Sequence, residues 1–312
     1  MAKRRRGLAS RACRQRKDAL RDHWFAIVNP RSGGNRNCAR FSAMLEGLRR
    51  IAVKTELTSG PGHAVQLALQ AQAYGGVIAV GGDGTLFEIL KGIDRKEQRI
   101  ALIPVGRGNS LARDLGLLHR PLLDVIHWEQ ARFIDLMAVH VTTANGVRSR
   151  HLSASTVALG YPAAVTLRAR KLASLGKMSY AAAAAATWPV HFRARIQYED
   201  EVPKEVRLSG FVANNTRHLA NFQAFRQASC SDGVFETMEM DAGMAKQTLH
   251  NLSALSGTGA YEPSTPRQAR NAKIQLDSPQ SLMMDGELFP QVICVDISIL
   301  PSAFVCNGPG AS

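Results

Sequence analysis

Three glycine-rich segments, each directly after a short apolar run, constrain the fold of this 312-residue chain more than any other feature. The apolar runs Trp24–Asn29, Val77–Val80 and Ile100–Val105 have the length of buried strands, and helical stretches lie between them. This alternation is the βαβ pattern of a parallel sheet covered by helices. The segments that follow the strands are NPRSGG, GGDGTLFE and PVGRGNSLARDLG. The first half of the chain is therefore predicted to be an α/β domain.

The three segments are predicted to bind phosphate. In open α/β sheets, ligands bind beyond the carboxyl ends of the strands. Glycine lets the backbone approach a phosphate and turn its N–H groups inward, and a following helix adds its positive end. Neither the P-loop pattern nor GxGxxG occurs in these segments, which argues against a P-loop NTPase and a Rossmann dehydrogenase.

The second half has a different pattern. Strand-like runs are broken by Pro, Gly, Asp and Asn, and few connections are long enough for parallel crossovers. Two helical stretches, near 163–173 and 179–187, interrupt the strands. The pattern predicts a largely antiparallel, β-rich second domain.

Composition limits the setting and the partners. The net charge is +14, and much of it lies in the basic segment 1–22. Such a tail attracts anionic lipid headgroups, binds nucleic acid nonspecifically, or is a solvated, disordered tail. We expect no specific nucleic-acid partner. No run is long and apolar enough to span a bilayer, and no secretory signal is evident. The five scattered cysteines favour a reducing, cytoplasmic setting.

Five acidic residues stand where a carboxylate needs an explanation. Asp83 lies between glycines, Asp232 lies in CSDGVFE, and Asp285 and Glu287 lie in MMDGELF. Each Asp–Gly pair can be a plain turn. A carboxylate beside phosphate loops can instead bind Mg²⁺ or accept a hydroxyl proton, as phosphoryl transfer requires. Asp135 interrupts an apolar strand and is either a strand-edge residue or part of an ion network.

The order and spacing of these motifs resemble the catalytic domain shared by diacylglycerol kinases, sphingosine and ceramide kinases, and bacterial lipid kinases. The resemblance runs from about Trp24 to the C-terminus and includes VANNTR, CSDGVFE and MMDGE. It implies an α/β nucleotide-binding domain with a parallel sheet at 23–137, a β-sandwich lipid domain at 138–296, and ATP in the cleft between them. The last strand, near 297–306, is expected to return to the first domain.

The resemblance also implies a site. The implied nucleotide-binding positions are Asn29, Pro30, Arg31, Ser32, Gly33, Thr58, Gly81, Gly82, Asp83, Gly84, Thr85, Glu88, Gly106, Arg107, Gly108 and Asn109. Asp232 matches a magnesium-linked position of bacterial members. Glu287 matches their proposed general base, whereas sphingosine kinases give that role to the position of Asp83. The implied co-substrate is ATP with Mg²⁺, and the implied setting is cytoplasmic with transient contact to an anionic membrane. A homodimer is left open.

Three departures from the family pattern leave alternatives open. Phe87 stands where bacterial diacylglycerol kinases usually have Asn, Arg107 replaces a nucleotide-contacting Thr, and Ser110 replaces an Asp. The GRGNSLA form resembles the sphingosine kinase pattern, so the lipid is not fixed. The alternatives are an NAD kinase-like enzyme, since GGDGT also occurs there, and a noncatalytic nucleotide-binding regulatory protein.

Overall fold

The computed structural model describes residues 23–33, 38–52, 54–106, 108–118, 131–172, 179–188, 191–219, 222–241 and 266–307. The chain divides into two compact units. The first comprises Met1–Val105, Gly116–Phe133 and Phe304–Ser312, and the second comprises Gly106–Leu115 and Ile134–Ala303. These units differ from the predicted division at residue 137, because residues 106–115 fall in the second unit. The basic tail 1–22 lies outside the described residues.

The first unit alternates strands and helices. Its elements are β1 (Trp24–Val28), α1 (Cys38–Ile51), β2 (Lys54–Leu57), α2 (His63–Gln70), β3 (Gly76–Gly81), α3 (Asp83–Gly92) and β4 (Arg99–Pro104). Strand β1 pairs in parallel with β2 and β3, and β3 pairs in parallel with β4. Every residue of β1 and β3 is buried, as expected for apolar strands covered on both faces.

In its described residues, the second unit contains most of the remaining strands and three helices. The elements from residue 110 onward are α4 (Ser110–Asp114), β5 (Ala131–Thr143), β6 (Arg148–Ser153), β7 (Thr156–Gly160), α5 (Tyr161–Lys171), α6 (Ser179–Ala186), β8 (Phe192–Tyr198), β9 (Lys204–Asn214), β10 (His218–Leu219), β11 (Phe222–Gln223), β12 (Phe235–Asp241), β13 (Arg267–Ala269), β14 (Asn271–Met284) and β15 (Glu287–Asn307). Among the described ranges, no helix is long and apolar enough to cross a membrane.

The strand pairing corrects two expectations. The sheet as a whole is mixed and mostly antiparallel, with parallel pairing among β1–β4 and between β4 and residues 305–306 of β15. The predicted β-sandwich of two separate sheets is also corrected, because β7, β8, β9 and β14 belong to one continuous sheet. Strands β7 and β8 both lie between β9 and β14, and each pairs with a different part of those longer strands. Strands β14 and β15 continue through Pro279 and Pro290, although prolines were expected to interrupt the strand-like runs.

Helix α5 covers part of the second unit's core. It begins at Tyr161, has Pro162 in its first turn, and ends in a basic turn. Proline is tolerated there because the first-turn N–H has no partner within the helix. Tyr161 and Val165 are buried in a cluster with Val212 and Met283 from the sheet. The helix therefore carries its last turn beside the β14–β15 strands.

Candidate functional site

Asn29 links the first glycine-rich segment to the second. Its backbone N–H donates to the Val80 carbonyl oxygen at 2.9 Å, which continues the β1–β3 ladder. Its side-chain Nδ2 donates to Thr85 Oγ1 at 3.0 Å, and its Oδ1 accepts from the Arg31 N–H at 3.0 Å. Asn29 thus fixes the conformation of its own loop and joins it to helix α3.

Gly33 and the end of β4 complete this edge of the first unit. Gly33 has φ +83°, and a Cβ atom there would lie 2.2 Å from the Val105 carbonyl oxygen. The Val105 N–H donates to the Gly81 carbonyl oxygen at 3.0 Å. The first loop, the second loop and the end of β4 therefore meet at the carboxyl edge of the parallel strands.

The second segment turns from β3 directly into helix α3. A Cβ atom on Gly81 would lie 2.3 Å from Thr85 Oγ1, so only glycine fits there. Gly82 is the extended N-cap residue and supplies no side-chain cap, while Asp83 is the first helical residue. Helix α3 spans ten residues, and the positive N-terminal end of its dipole lies at this loop. The structure brings Gly81, Gly82, Asp83, Gly84 and Thr85 together there.

Glu88 contacts the protein backbone. Its Oε1 accepts from the Gly62 N–H at 2.8 Å, and its Oε2 accepts from the Ala64 N–H at 3.2 Å. Gly62 is the N-cap of α2 and provides no side-chain cap of its own. Glu88 therefore caps α2 from the neighbouring helix. Thr58, another position that was implied to bind the nucleotide, is buried. Its N–H donates to the Val28 carbonyl oxygen at 2.8 Å.

Residues 106–115 of the third segment belong to the second unit. Asn109 is buried, has φ +54°, and donates its Nδ2 to the Gly106 carbonyl oxygen at 2.7 Å. It is the N-cap of the five-residue helix α4. Arg107 lies outside the described residues. The segment is thus a closed turn held by its own asparagine.

Asp114, which no sequence pattern marked as a site residue, has partners far along the chain. It lies at the end of α4 with its side chain almost fully buried. Its carboxylate accepts from the Arg217 N–H and pairs with His218 Nδ1. The contact joins the LARD segment to the VANNTRH segment within the second unit. The only sequence signal for this contact was that Asp114 and Arg217, which carry opposite charges, lie in the two motifs.

Asp135 forms no ion pair with the residues that the structure describes, so the ion network that the sequence allowed is not seen there. It is 2% exposed, and its Oδ2 accepts from the Gly233 N–H while its Oδ1 accepts from the Ser302 N–H, each at 2.7 Å. Backbone donors, rather than a cation, compensate for the buried carboxylate. Asp135 thereby ties the CSDG turn to β15.

Asp232 lies next to this anchor in an electronegative environment. Burial raises the pKa of its carboxyl, and the nearby Asp135 carboxylate raises it further. Burial also raises the pKa of Glu236, with an added contribution from Asp232. In the described part of the chain, no group of three His, Cys, Asp or Glu side chains is arranged to hold a metal ion. Asp232 therefore offers a single carboxylate, close to that of Asp135.

Asp285 is far more than the turn residue that its sequence suggested. It is 4% exposed, and its Oδ1 accepts from Ser153 Oγ, from Ser155 N–H and Oγ, and from the Thr156 N–H at 2.8–3.0 Å. Its Oδ2 accepts from the Ala154 N–H at 2.8 Å. Burial raises the pKa of Asp285, and these hydrogen bonds oppose that rise. The cluster of hydroxyl residues in HLSAST was the only sequence signal for this partner.

Glu287 follows this turn and is half-exposed. Its Oε1 lies 3.1 Å from Arg170 Nη2, on the last turn of α5. Asp83 is in the first unit, and Asp232 and Glu287 are in the second. The proposed nucleotide positions are similarly divided, with Asn29–Gly33, Thr58 and Gly81–Glu88 in the first unit and Gly106–Asn109 in the second.

The first-unit edge lies within a segment that resembles a known catalytic domain. Residues 23–139 match the family described as diacylglycerol kinase catalytic domain. This segment contains the first two glycine-rich loops, β4 and the third segment. This part of the chain is therefore similar to the catalytic domain of diacylglycerol kinases.

Some relatives match this chain over less than half of its length, and one matches it over most of its length. "Probable lipid kinase YegS-like" of Pseudomonas aeruginosa is 30% identical over 124 residues, which are 38% of this chain and 41% of that protein. The matches to it and to a Bacillus subtilis relative span only about two fifths of those proteins. A Bacillus subtilis diacylglycerol kinase is 25% identical over 280 residues, covering 84% of this chain and 88% of that protein.

Solved structures share the fold. A diacylglycerol kinase from Bacillus anthracis superposes with a TM-score of 0.70 at 19% identity, covering 92% of this chain and 97% of that one. An NAD kinase from Archaeoglobus fulgidus, solved with ATP, has a TM-score of 0.51 at 13% identity and covers 91% and 93% of the two chains. At these identities the similarity concerns the fold alone.

Proposed function

We propose that the chain is an ATP-dependent lipid kinase that phosphorylates a hydroxyl of diacylglycerol, a sphingoid base or a related lipid. The observation that carries this proposal is the edge of the first unit, where Gly33, Gly81 and Val105 approach one another beside the start of α3. Close backbone packing at a helix N-terminus is suited to phosphate groups. The family match of residues 23–139 supports the same chemistry.

The nucleotide is proposed to bind along this edge. The extended backbone of Gly82 leaves the approach to α3 without a side chain, and α3 adds its positive end. Asn29 keeps the first loop in position through Thr85. Glu88 acts indirectly in this proposal, by fixing the start of α2. The Gly106–Asn109 turn within the third segment is a further proposed nucleotide contact.

The described residues offer one carboxylate as a proposed protein ligand for magnesium. Mg²⁺ is commonly held by one or two carboxylates together with substrate phosphates and water. Asp232 would be the protein ligand, because burial and the neighbouring Asp135 raise the pKa of its carboxyl and a cation would relieve that repulsion. When bound, Mg²⁺ offsets negative charge on transferring phosphates.

Glu287 is the proposed proton acceptor, and Asp83 is the alternative. Asp83 lies in the first turn of α3, in the unit that is proposed to hold the nucleotide. Glu287 is half-exposed in the β-rich unit, which is proposed to hold the lipid. Its carboxylate would take the hydroxyl proton as the lipid oxygen bonds to the γ-phosphorus and the bond to ADP breaks.

The basic segment 1–22 is proposed to bring the enzyme to anionic membranes. Each Lys or Arg near such a surface contributes on the order of 1 kcal/mol, and salt screens the attraction. Removing residues 1–22 should weaken binding to vesicles that contain phosphatidylserine, most clearly at low salt, while activity on detergent-dispersed lipid persists. Unchanged vesicle binding would exclude the tail as the membrane contact.

The test of the kinase activity is direct. Purified protein is incubated with γ-labelled ATP, Mg²⁺ and, separately, diacylglycerol, monoacylglycerol, sphingosine, ceramide and NAD. Label in a lipid supports the proposal and names the substrate. Label in NAD would favour the NAD kinase alternative, to which the shared fold and GGDGT give some support. ATP binding without any labelled product would favour the noncatalytic alternative.

Gly82→Asp and Gly82→Asn form a matched pair for the site itself. Both side chains have nearly the same volume, and the extended backbone of Gly82 accommodates either one. The carboxylate of Asp repels phosphates, whereas the amide of Asn does not. We expect Gly82→Asp to abolish turnover in a folded protein and Gly82→Asn to retain more. Full activity of Gly82→Asp would contradict phosphate binding at this loop.

A further inference from the structure

Glu287 follows a two-residue hairpin turn of defined geometry. Met284 pairs with Glu287 across the β14–β15 ladder, and the two residues between them, Asp285 and Gly286, have φ values of +47° and +88°. Two successive positive φ values are typical of a type I′ turn, for which Asp–Gly is a preferred sequence. The buried carboxylate of Asp285 anchors this turn to residues 153–156. The backbone that leads into Glu287 is therefore tightly constrained.

Arg170 contacts the other side of the same turn. Its Nη2 donates to the Gly286 carbonyl oxygen and lies 3.1 Å from Glu287 Oε1. Arg170 extends from the last turn of α5, whose buried Tyr161 and Val165 fix the helix against the sheet. The guanidinium thus contacts both the turn backbone and the Glu287 carboxylate.

The ion pair leaves one oxygen of Glu287 available. The side chains of Arg170 and Glu287 are 44% and 43% exposed, and ion pairs this exposed contribute little to stability. Glu287 Oε2 accepts no hydrogen bond from the residues that the structure describes. The arrangement fixes the direction of a carboxylate and keeps one of its oxygens open.

We propose that Arg170 is a positioning residue for Glu287, holding Oε1 so that Oε2 faces the acceptor hydroxyl. This role rests on the proposed function, in which Glu287 is the base. The hydroxyl proton moves to Oε2, the lipid oxygen forms a bond to the γ-phosphorus of ATP, and the γ-phosphorus–oxygen bond breaks with its electron pair going to ADP. Arg170 neither gains nor loses a proton.

Arg170→Met tests the proposal on the full-length protein. Methionine keeps an extended side chain and removes the guanidinium. We expect kcat on detergent-dispersed lipid to fall about tenfold, a part of the roughly 10²–10⁴-fold effect of a positioned base, with the KM for ATP unchanged. Arg170→Lys should retain more activity than Arg170→Met, because lysine keeps the charge but not the planar fork.

Arg168→Met is the matched control for loss of one positive charge. Arg168 is on the same turn, is exposed, and its side chain makes no hydrogen bond or ion pair with a described residue. We expect it to keep wild-type kcat. Equal rates in Arg170→Met and Arg168→Met would overturn the positioning role.

A double-mutant cycle separates positioning from a structural effect. In a Glu287→Gln background, Arg170→Met should cause little further loss, because it acts through the missing carboxylate. A similar loss in both backgrounds would show that Arg170 acts independently of Glu287 and would overturn the proposal. A wild-type protein that phosphorylates no lipid would overturn the proposed function itself, a result distinct from the other two.

Discussion

Gly33 and Val105 are packed so closely that a Cβ atom on Gly33 would lie 2.2 Å from the Val105 carbonyl oxygen. Real Cβ atoms do not approach backbone oxygens at that distance, so any side chain at residue 33 must move one of the two segments. These segments are the first glycine-rich loop and the end of β4, which form the proposed phosphate edge. The close approach therefore ties the shape of the site to the absence of a side chain.

Gly33→Ala should destabilise the protein more than Gly62→Ala does. Both glycines have positive φ, +83° and +80°, but the Cβ position of Gly62 has nothing within 4 Å. Gly62→Ala should cost about 1–2 kcal/mol for the left-handed backbone alone. Gly33→Ala should cost more and should also raise the KM for ATP. Urea unfolding of both variants measures the difference, and equal losses would show that the loop relaxes freely.

Glu88→Ala should lower the free energy of unfolding by about 1 kcal/mol, the usual effect of losing a helix cap. The reason is that both carboxylate oxygens accept N–H groups at the start of α2. Glu88→Gln should lose less, because the amide keeps one acceptor oxygen. Glu46→Ala is a suitable control, since among the described residues Glu46 makes only an exposed i,i+4 pair with Arg50.

The same pair of Glu88 variants tests the nucleotide role that the sequence implied. If Glu88 contacts ATP, Glu88→Gln should raise the KM for ATP beyond what its stability loss explains. If it acts only as a cap, the KM should follow stability. Chemical denaturation and steady-state kinetics on the same preparations decide between the two.

The sequence predicted the parts of the fold and site that depend on local pattern. Strands β1, β3 and β4 were recognisable because buried parallel strands are continuous apolar runs, and the loops after them were recognisable from their glycines. The roles of Asp135 and Asp285 were not, because their partners are far along the chain. Asp135 binds the N–H groups of residues 98 and 167 positions away, and Asp285 binds residues about 130 positions away. No local pattern encodes such contacts.

The stability of the protein should decrease as pH rises from acid toward neutrality because of Asp232 and Glu236. Burial raises the pKa of both carboxyls above their unfolded values, so the folded state binds these protons more tightly. Their contribution to stability is fully present below the unfolded pKa and is lost as pH rises through the raised folded pKa. Asp232→Asn should flatten this decline in thermal unfolding curves, whereas Asp200→Asn, an exposed turn position, should not.

Magnesium should oppose the same decline if Asp232 binds it. Millimolar Mg²⁺ should raise the Tm of the wild type near neutral pH, because ligands that bind the folded state stabilise it. The shift should be absent in Asp232→Asn and present in Asp200→Asn. An equal shift in all three proteins would place the magnesium effect elsewhere.

Glu287→Gln and Asp83→Asn should separate base catalysis from nucleotide binding. Glu287 stands on an anchored hairpin with one open oxygen, whereas Asp83 lies in the first turn of α3 beside the proposed phosphates. Loose phosphoryl transfer makes a modest demand on the base, so loss of a true base should lower kcat by roughly 10²–10⁴-fold. We expect that loss in Glu287→Gln with the KM for ATP unchanged. Asp83→Asn should lose nearly all activity together with altered Mg²⁺ dependence.

The substrate decides how these variants are interpreted. For a glycerolipid we expect Glu287 to be the base, and for a sphingoid base the family resemblance favours Asp83. Measuring kcat, the KM for ATP and Mg²⁺ dependence of both variants, with whichever lipid the wild type phosphorylates, distinguishes the two. A Glu287→Gln variant with wild-type kcat would remove Glu287 as the base. If Asp83→Asn also kept its rate, neither Glu287 nor Asp83 would be the base, and the proposed mechanism would be wrong.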